Sequence, residues 1–259
     1  MKVTWEEPGW EDLGWERLAA GVGRCRLPVW DCTVGLVTWP GGALLIDAGS
    51  SLAEGAKVRL EAQALAGRRV DFLALTHAHF DHVFGAASFA GTYVLAAAAT
   101  EDESTESSDF KNMGREALWA DAVRNGLDPR AAEEAADALV VPHQYVRGNL
   151  TVASPGGREV VLSVVGPGHT RGDLAVVVRG DGGPAVVFCG DLVEESGEPQ
   201  AGPDAVPSRW PAALDRVLAL GGEDALYVPG HGAVVDAAFV RAQRDALATR
   251  FGVSREPVD

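Results

Sequence analysis

His77-Ala78-His79-Phe80-Asp81-His82 gathers three of the chain's six histidines and one aspartate into six consecutive residues. In extended backbone, residues i and i+2 share a face, so His77 and His79 can present two ring nitrogens to one metal. Asp81 and His82 then turn away at the head of a helix and can serve a second metal beside it. Imidazole and carboxylate are ligands suited to zinc, iron or manganese. The stretch follows Val70 to Thr76, a short and largely apolar run expected as a buried strand. Alone, it says only that a metal binds, and a chance histidine cluster on a surface loop would read the same way.

Three further candidates lie downstream, each after an expected strand and each beside glycine. His169 lies in Gly166-Pro167-Gly168-His169-Thr170-Arg171-Gly172-Asp173, after a strand expected to end at Val165. Asp191 lies in Phe188-Cys189-Gly190-Asp191-Leu192, after a strand expected to end at Cys189. His231 lies in Val228-Pro229-Gly230-His231-Gly232, after a strand expected to end at Val228. Strand ends along one edge are where open α/β folds place their sites. Glycine lets the backbone turn tightly and lets an ion come close. Upstream, Gly35 to Trp39 and Ala43 to Gly49 flank Pro40-Gly41-Gly42 and read as a β-hairpin.

In this order, Leu45-Ile46-Asp47-Ala48-Gly49, the His77 to His82 stretch, Gly168-His169-Thr170, Gly190-Asp191 and Pro229-Gly230-His231 resemble the motif series of the metallo-β-lactamase superfamily. The likeness runs from the first hairpin to His231. It implies an α/β fold, a four-layer αββα sandwich of the metallo-β-lactamase type. It implies two zinc ions, with iron or manganese as substitutes. His77, His79 and His169 would hold the first, Asp81, His82 and His231 the second, and Asp191 would bridge them. Where one antibiotic-resistance branch has a cysteine, this chain has Asp191, which favours an oxygen-bridged, glyoxalase-II-like arrangement.

The resemblance also implies the chemistry. Metal coordination lowers the pKa of bound water from about 15.7 to about 7 in the best-known zinc case. The hydroxide so formed attacks a small carbonyl substrate: a thioester, lactone, ester or β-lactam. Asp81 would orient the water and carry its proton to the leaving group. Asp47, Thr170 and Asp173 would brace the ligands from behind, since ligating histidines usually give their other N–H to a carboxylate, carbonyl or water. The alternative enzyme is a mononuclear iron persulfide dioxygenase of the same superfamily. A phosphodiesterase and a non-enzymatic metal-binding protein stand further back.

The composition narrows the partners. The 259 residues carry a formal net charge of −15, a surface that repels phosphate backbones and anionic membranes. A small molecule is therefore the expected substrate, with neither nucleic acid nor membrane as partner. Met1 to Trp10 lacks the apolar stretch of a signal peptide and no later run is long enough to span a bilayer, so a cytoplasmic protein is expected. Three cysteines, none in a C-x-x-C pair, argue against a disulfide framework or a zinc knuckle.

The rest of the pattern is helix and strand with no linker, read as one domain over 1–259. Helices are expected over Ser51 to Ala66, Phe110 to Asn125, Pro129 to Ala138, Trp210 to Leu220 and Phe239 to Phe251. Strands are expected over Thr92 to Ala96, Leu150 to Ala153, Glu159 to Val165, Leu174 to Arg179, Ala185 to Cys189 and Ala225 to Val228. The helical region 101–140 interrupts the strands and is placed to serve as a lid. Trp30, Asp31 and Thr33 are expected at the pocket rim, and His143 and Tyr145 as packing residues.

Overall fold

The computed structural model describes residues 9–98, 114–153, 158–180 and 182–253. The acidic stretch 101–109, the start of the helix expected from Phe110, the turn at Pro155-Gly156-Gly157 and the Asp181 end of the next turn lie outside them.

The hairpin forms as its sequence asks. Strands β3 (Thr33–Trp39) and β4 (Gly42–Ile46) pair antiparallel, with Trp39 opposite Gly42. On β4 the alternation separates two cores: Leu44 and Ile46 face one way, Ala43 and Leu45 the other. Helix α1 (Leu52–Ala66) follows, with the Ser51 hydroxyl accepting from Glu54 N at 3.2 Å and Gly67 closing it at φ 62°. Two more parallel strands, β5 (Phe72–Leu75) and β6 (Tyr93–Ala97), extend the sheet from β4. Between them lie the four-residue α2 (Phe80–Val83) and a 3-10 turn at Phe84–Ser88.

Strands β1 (Glu16–Ala19) and β2 (Val22–Arg26) were not expected, and β7 (Gln144–Val146) forms around Tyr145, read from the sequence as a half-buried strand residue. They complete a seven-stranded sheet in the order β1-β2-β3-β4-β5-β6-β7. The second sheet has five strands: β8 (Asn149–Ala153), β9 (Glu159–Val164), β10 (Leu174–Arg179), β11 (Val186–Glu194) and β12 (Leu226–His231). They run in the order β12-β11-β10-β9-β8, antiparallel except for β11 against β12.

The two sheets enclose one core, where Val37, Leu44 and Ile46 meet Leu162, Val176 and Phe188. The outer face of the first sheet is covered by α1, α2, α3 (Arg115–Arg124) and α4 (Pro129–Asp137), through Val58, Leu118 and Ala132. The outer face of the second is covered by α5 (Trp210–Gly221) and α6 (Ala237–Phe251), through Trp210, Leu214 and Val240. The layers are thus helix, sheet, sheet, helix. Among the described residues, no helix is long and apolar enough to cross a membrane.

Two boundaries correct the sequence reading. β11 does not stop at Cys189 but runs through Asp191 to Glu194. β12 ends on His231 itself. In both cases glycine makes an irregularity within the strand rather than its end: Gly190 sits at φ 53° where the β11–β12 register shifts.

Candidate metal centre

All seven expected ligands meet at one end of the sandwich, at the seam between the sheets. His77 follows β5, and His79 is the residue on which α2 starts, in extended backbone. Asp81 and His82 lie in the first turn of α2, which brings the His82 ring to 4.3 Å from that of His77. From the second sheet come His169, after β9, Asp191, within β11, and His231, at the end of β12. Leu174 N donates to Thr76 O at 2.8 Å and joins the two sheets beside the cluster.

The ligand atoms fall into two sets. His77, His79, His169 and Asp191 can bring theirs within 4.8 Å of one another, and so can His82, Asp191 and His231. Asp191 belongs to both. Its Oδ2 lies 3.6 Å from His77 Nε2, 3.5 Å from His169 Nε2 and 3.3 Å from His231 Nε2. Its Oδ1 lies 3.1 Å from His82 Nε2. Asp81 Oδ2 joins the second set, 3.3 Å from His231 Nε2 and 3.7 Å from His82 Nε2.

A network behind the cluster aims the rings. Asp47, in left-handed backbone at φ 60°, accepts from Thr76 N and Thr76 Oγ1, each at 2.8 Å. It also accepts from His82 Nδ1 at 2.8 Å, and His77 Nδ1 donates to Thr76 Oγ1 at 2.9 Å. One carboxylate therefore fixes a histidine in each set and leaves both Nε2 atoms facing inward. His231 Nδ1 donates to Trp30 O at 2.6 Å. Thr170 and Asp173 brace only indirectly. Thr170 N and Oγ1 donate to Asp173 Oδ1 at 2.9 and 2.7 Å and close the loop that carries His169.

The donor set fits metal ions. His77 Nε2 and Asp191 Oδ1 are buried with no hydrogen-bond partner among the described residues. Such atoms are costly unless something else satisfies them. Gly230 leaves room for the arrangement, because a Cβ there would overlap Asp191 Oδ1. Imidazole nitrogens with two carboxylates match zinc, iron or manganese better than magnesium or calcium.

The charges are strongly coupled. Burial holds His77 and His169 below their ordinary range. Burial opposes a proton on His231 as well, but Asp191 and Asp81 beside it push it up to about 12. Burial would raise Asp81 and Asp191, but their histidine neighbours hold both below the usual carboxylate range.

Asp204 is a residue the sequence reading missed. His79 Nε2 donates to its Oδ2 at 3.1 Å, which turns His79 Nδ1 toward His169 Nε2, 3.0 Å away. Burial would raise Asp204, but the bond from His79 brings it down to about 2. Gly202-Pro203-Asp204 reads only as a turn, and nothing local links it to a histidine 125 residues earlier. Cys32 was also unmarked. Its Sγ donates to Asp81 O at 3.1 Å and lies 3.7 Å from His82 Nδ1, but burial pushes the thiol up to about 11. It is a neutral donor there.

A cavity of about 580 Å³ opens onto the cluster, with His79, Asp81, His169, Asp191 and His231 at its floor and α3 along one wall. Trp30 lines it. Thr33 does not: it is buried in β3, and Asp31 turns outward to pair with Arg26. His143 and Tyr145 lie away from the cavity, the first stacked on Tyr93. Cys189 is buried in β11.

The comparisons with known proteins agree with this fold. The solved structure of the metallo-beta-lactamase FIM-1 from Pseudomonas aeruginosa, in its mono-zinc form, superposes with a TM-score of 0.65 at 20% identity, covering 92% of this chain and 95% of that one. A metallo-beta-lactamase from Erythrobacter litoralis gives 0.62 at 17% identity, covering 91% and 96%. Ribonuclease Z of Aeropyrum pernix is 30% identical over 110 residues, 38% of this chain and 34% of that protein. The chain thus spans about a third of the length of that curated relative. The family model described as the metallo-beta-lactamase superfamily matches residues 27–231. The chain belongs to the metallo-beta-lactamase superfamily, a family of metallohydrolases.

Proposed function

We propose that this protein is a dinuclear, zinc-dependent hydrolase of small carbonyl substrates: a thioester, lactone, ester or β-lactam. The observation that carries the reading is the place of Asp191. It stands between a three-histidine set and a second set of His82, His231 and Asp81, within 3.6 Å of a nitrogen from each. His77, His79 and His169 would hold one ion, Asp81, His82 and His231 the other, and Asp191 would touch both.

When bound, the ions would supply a nucleophilic water at neutral pH and a positive charge for the developing oxyanion. The side chains do the rest. Asp47 and Trp30 O keep His82 and His231 pointing inward, and Asp204 does the same for His79. Asp81 lines the cavity, where its carboxylate would orient the attacking water and carry its proton to the leaving group. Trp30 and Phe80, packed edge to face at 5.3 Å, give the substrate an apolar wall.

We read the chain as one domain over 1–259, with α3 walling the cavity. Three free, buried cysteines suit a reducing compartment such as the cytoplasm. The partial likeness to a ribonuclease Z supports a second reading, phosphodiester hydrolysis.

One panel separates these readings. Purified protein is assayed on thioesters, lactones, β-lactams and phosphodiesters, with metal content measured alongside. Two zinc ions per chain and turnover of a carbonyl substrate are expected. One iron per chain with oxygen consumption on a persulfide would replace the reading with a dioxygenase. Turnover of phosphodiesters alone would favour the second reading.

A further inference from the structure

The walls of the cavity carry acidic side chains beyond the metal ligands, of which, among the described residues, only Asp204 is engaged by a ligand, through His79. Asp121, Glu194, Glu198 and Asp204 all line it. Only Arg124 opposes them among the described lining residues. That guanidinium is tied to the same wall: its Nη1 lies 2.8 Å from Asp121 Oδ1, three residues back on α3, and 68% of its side chain is exposed. The remaining wall is mixed, with Trp30 and Phe80 at one apolar side and Asn125, Ser196 and Gln200 as neutral polar groups.

We infer that the site selects acyl substrates whose arm, remote from the scissile bond, is uncharged or cationic, and discriminates against anionic arms. The inference rests on the hydrolase reading and names its substrate class. An anchor for a substrate carboxylate or phosphate needs a free guanidinium or ammonium, which makes short charge-assisted bonds. Here the lining offers carboxylates and one guanidinium already engaged by Asp121. A substrate anion would lose its water shell and gain like-charge neighbours, a penalty that grows as water is excluded. An apolar arm against Trp30 and Phe80 meets no such penalty and gains from burial. The net charge of −15 has the same sign, so approach from a distance is biased in the same direction. Carboxylated β-lactams, anionic thiol conjugates and nucleic acid become poor substrates, while neutral lactones, esters and thioesters remain.

The test uses three phenyl esters of equal chain length, ending in methyl, trimethylammonium or carboxylate, with the zinc-loaded full chain. The neutral and cationic esters should exceed the carboxylate at least tenfold in kcat/KM, with the difference in KM rather than kcat. Raising the salt to 0.5 M should narrow the gap between the charged esters. Glu198→Gln and Asp121→Asn should each raise the carboxylate's kcat/KM relative to the neutral ester. Equal turnover of all three, or ratios unmoved in both variants, would overturn the inference. The matching trifluoromethyl ketones, titrated by calorimetry, separate this result from the underlying reading. If no ester is hydrolysed but the ketones bind in the same order, hydrolysis falls and selectivity stands. If the ketones bind without regard to charge, selectivity falls.

Discussion

At the residue scale, the site divides into groups that act and groups that aim. On the proposed reading Asp81 moves a proton, so Asp81→Asn should lower kcat by about 10²–10⁴-fold with a smaller change in KM. Steady-state kinetics on the carbonyl substrate found in the panel would show it, and an unchanged kcat would assign the proton to another group. Asp204 aims His79 from behind. Asp204→Asn keeps the shape but weakens the acceptor, and zinc affinity should fall by about 10–100-fold. A competition titration against a chromogenic chelator reads that directly, and an affinity equal to the parent would make Asp204 a bystander. The two aspartates differ in how the chain announces them. Asp81 is written inside a compact motif, where spacing alone sets its direction. Asp204 gains its partner only when the loop after β11 folds back over α2, a tertiary fact with no local signature.

At the element scale, the strand ends decide the geometry. Gly230 lies in β12 directly behind Asp191, and a Cβ would overlap Asp191 Oδ1. Gly230→Ala should therefore push Asp191 out of one set, leaving about one zinc per chain instead of two and at least about a tenfold loss in kcat/KM. Elemental analysis with circular dichroism on the same sample checks that the fold survives. Two bound zinc ions with full activity would refute the role given to Asp191.

Most of the architecture was legible at this scale because the short apolar runs of β4 and β10, the Pro40-Gly41-Gly42 turn and the caps of α1 and α4 are local signals. β2 escaped because Gly23 and Arg24 break its apolar run, although its first four residues are all buried. Even its arginine is covered, donating to Gly232 O at 2.8 Å. β11 was read short because glycine stops most strands, whereas Gly190 only shifts its register.

At the scale of the whole molecule, opposed histidine shifts give the metal-free protein a pH optimum. His77 and His169 titrate below 6.5 when folded, so the unfolded chain binds more protons below that value and stability falls with falling pH. His82 and His231 are raised, so their contribution is whole below about 6.5 and is lost as the pH rises through the folded value, about 12 for His231. Asp81 and Asp191, held below 3.8, steepen the loss on the far acid side. The chelated protein should be most stable near pH 6.5, judged by urea midpoints across a pH series. A midpoint that keeps climbing to pH 9 would contradict the charge assignment. The same seam has a bearing on how the protein fares inside an organism. Three histidines and Asp81 come from the first half of the chain, and His169, Asp191 and His231 from the second. An ion held here would clasp the halves together, adding about 4 kcal/mol when its free concentration is a thousandfold above Kd. Ordinary domains have roughly 5–15 kcal/mol in total. Mineral supply would then govern how long each copy survives as well as how fast it works, and starvation for zinc would thin the population before it slowed the survivors.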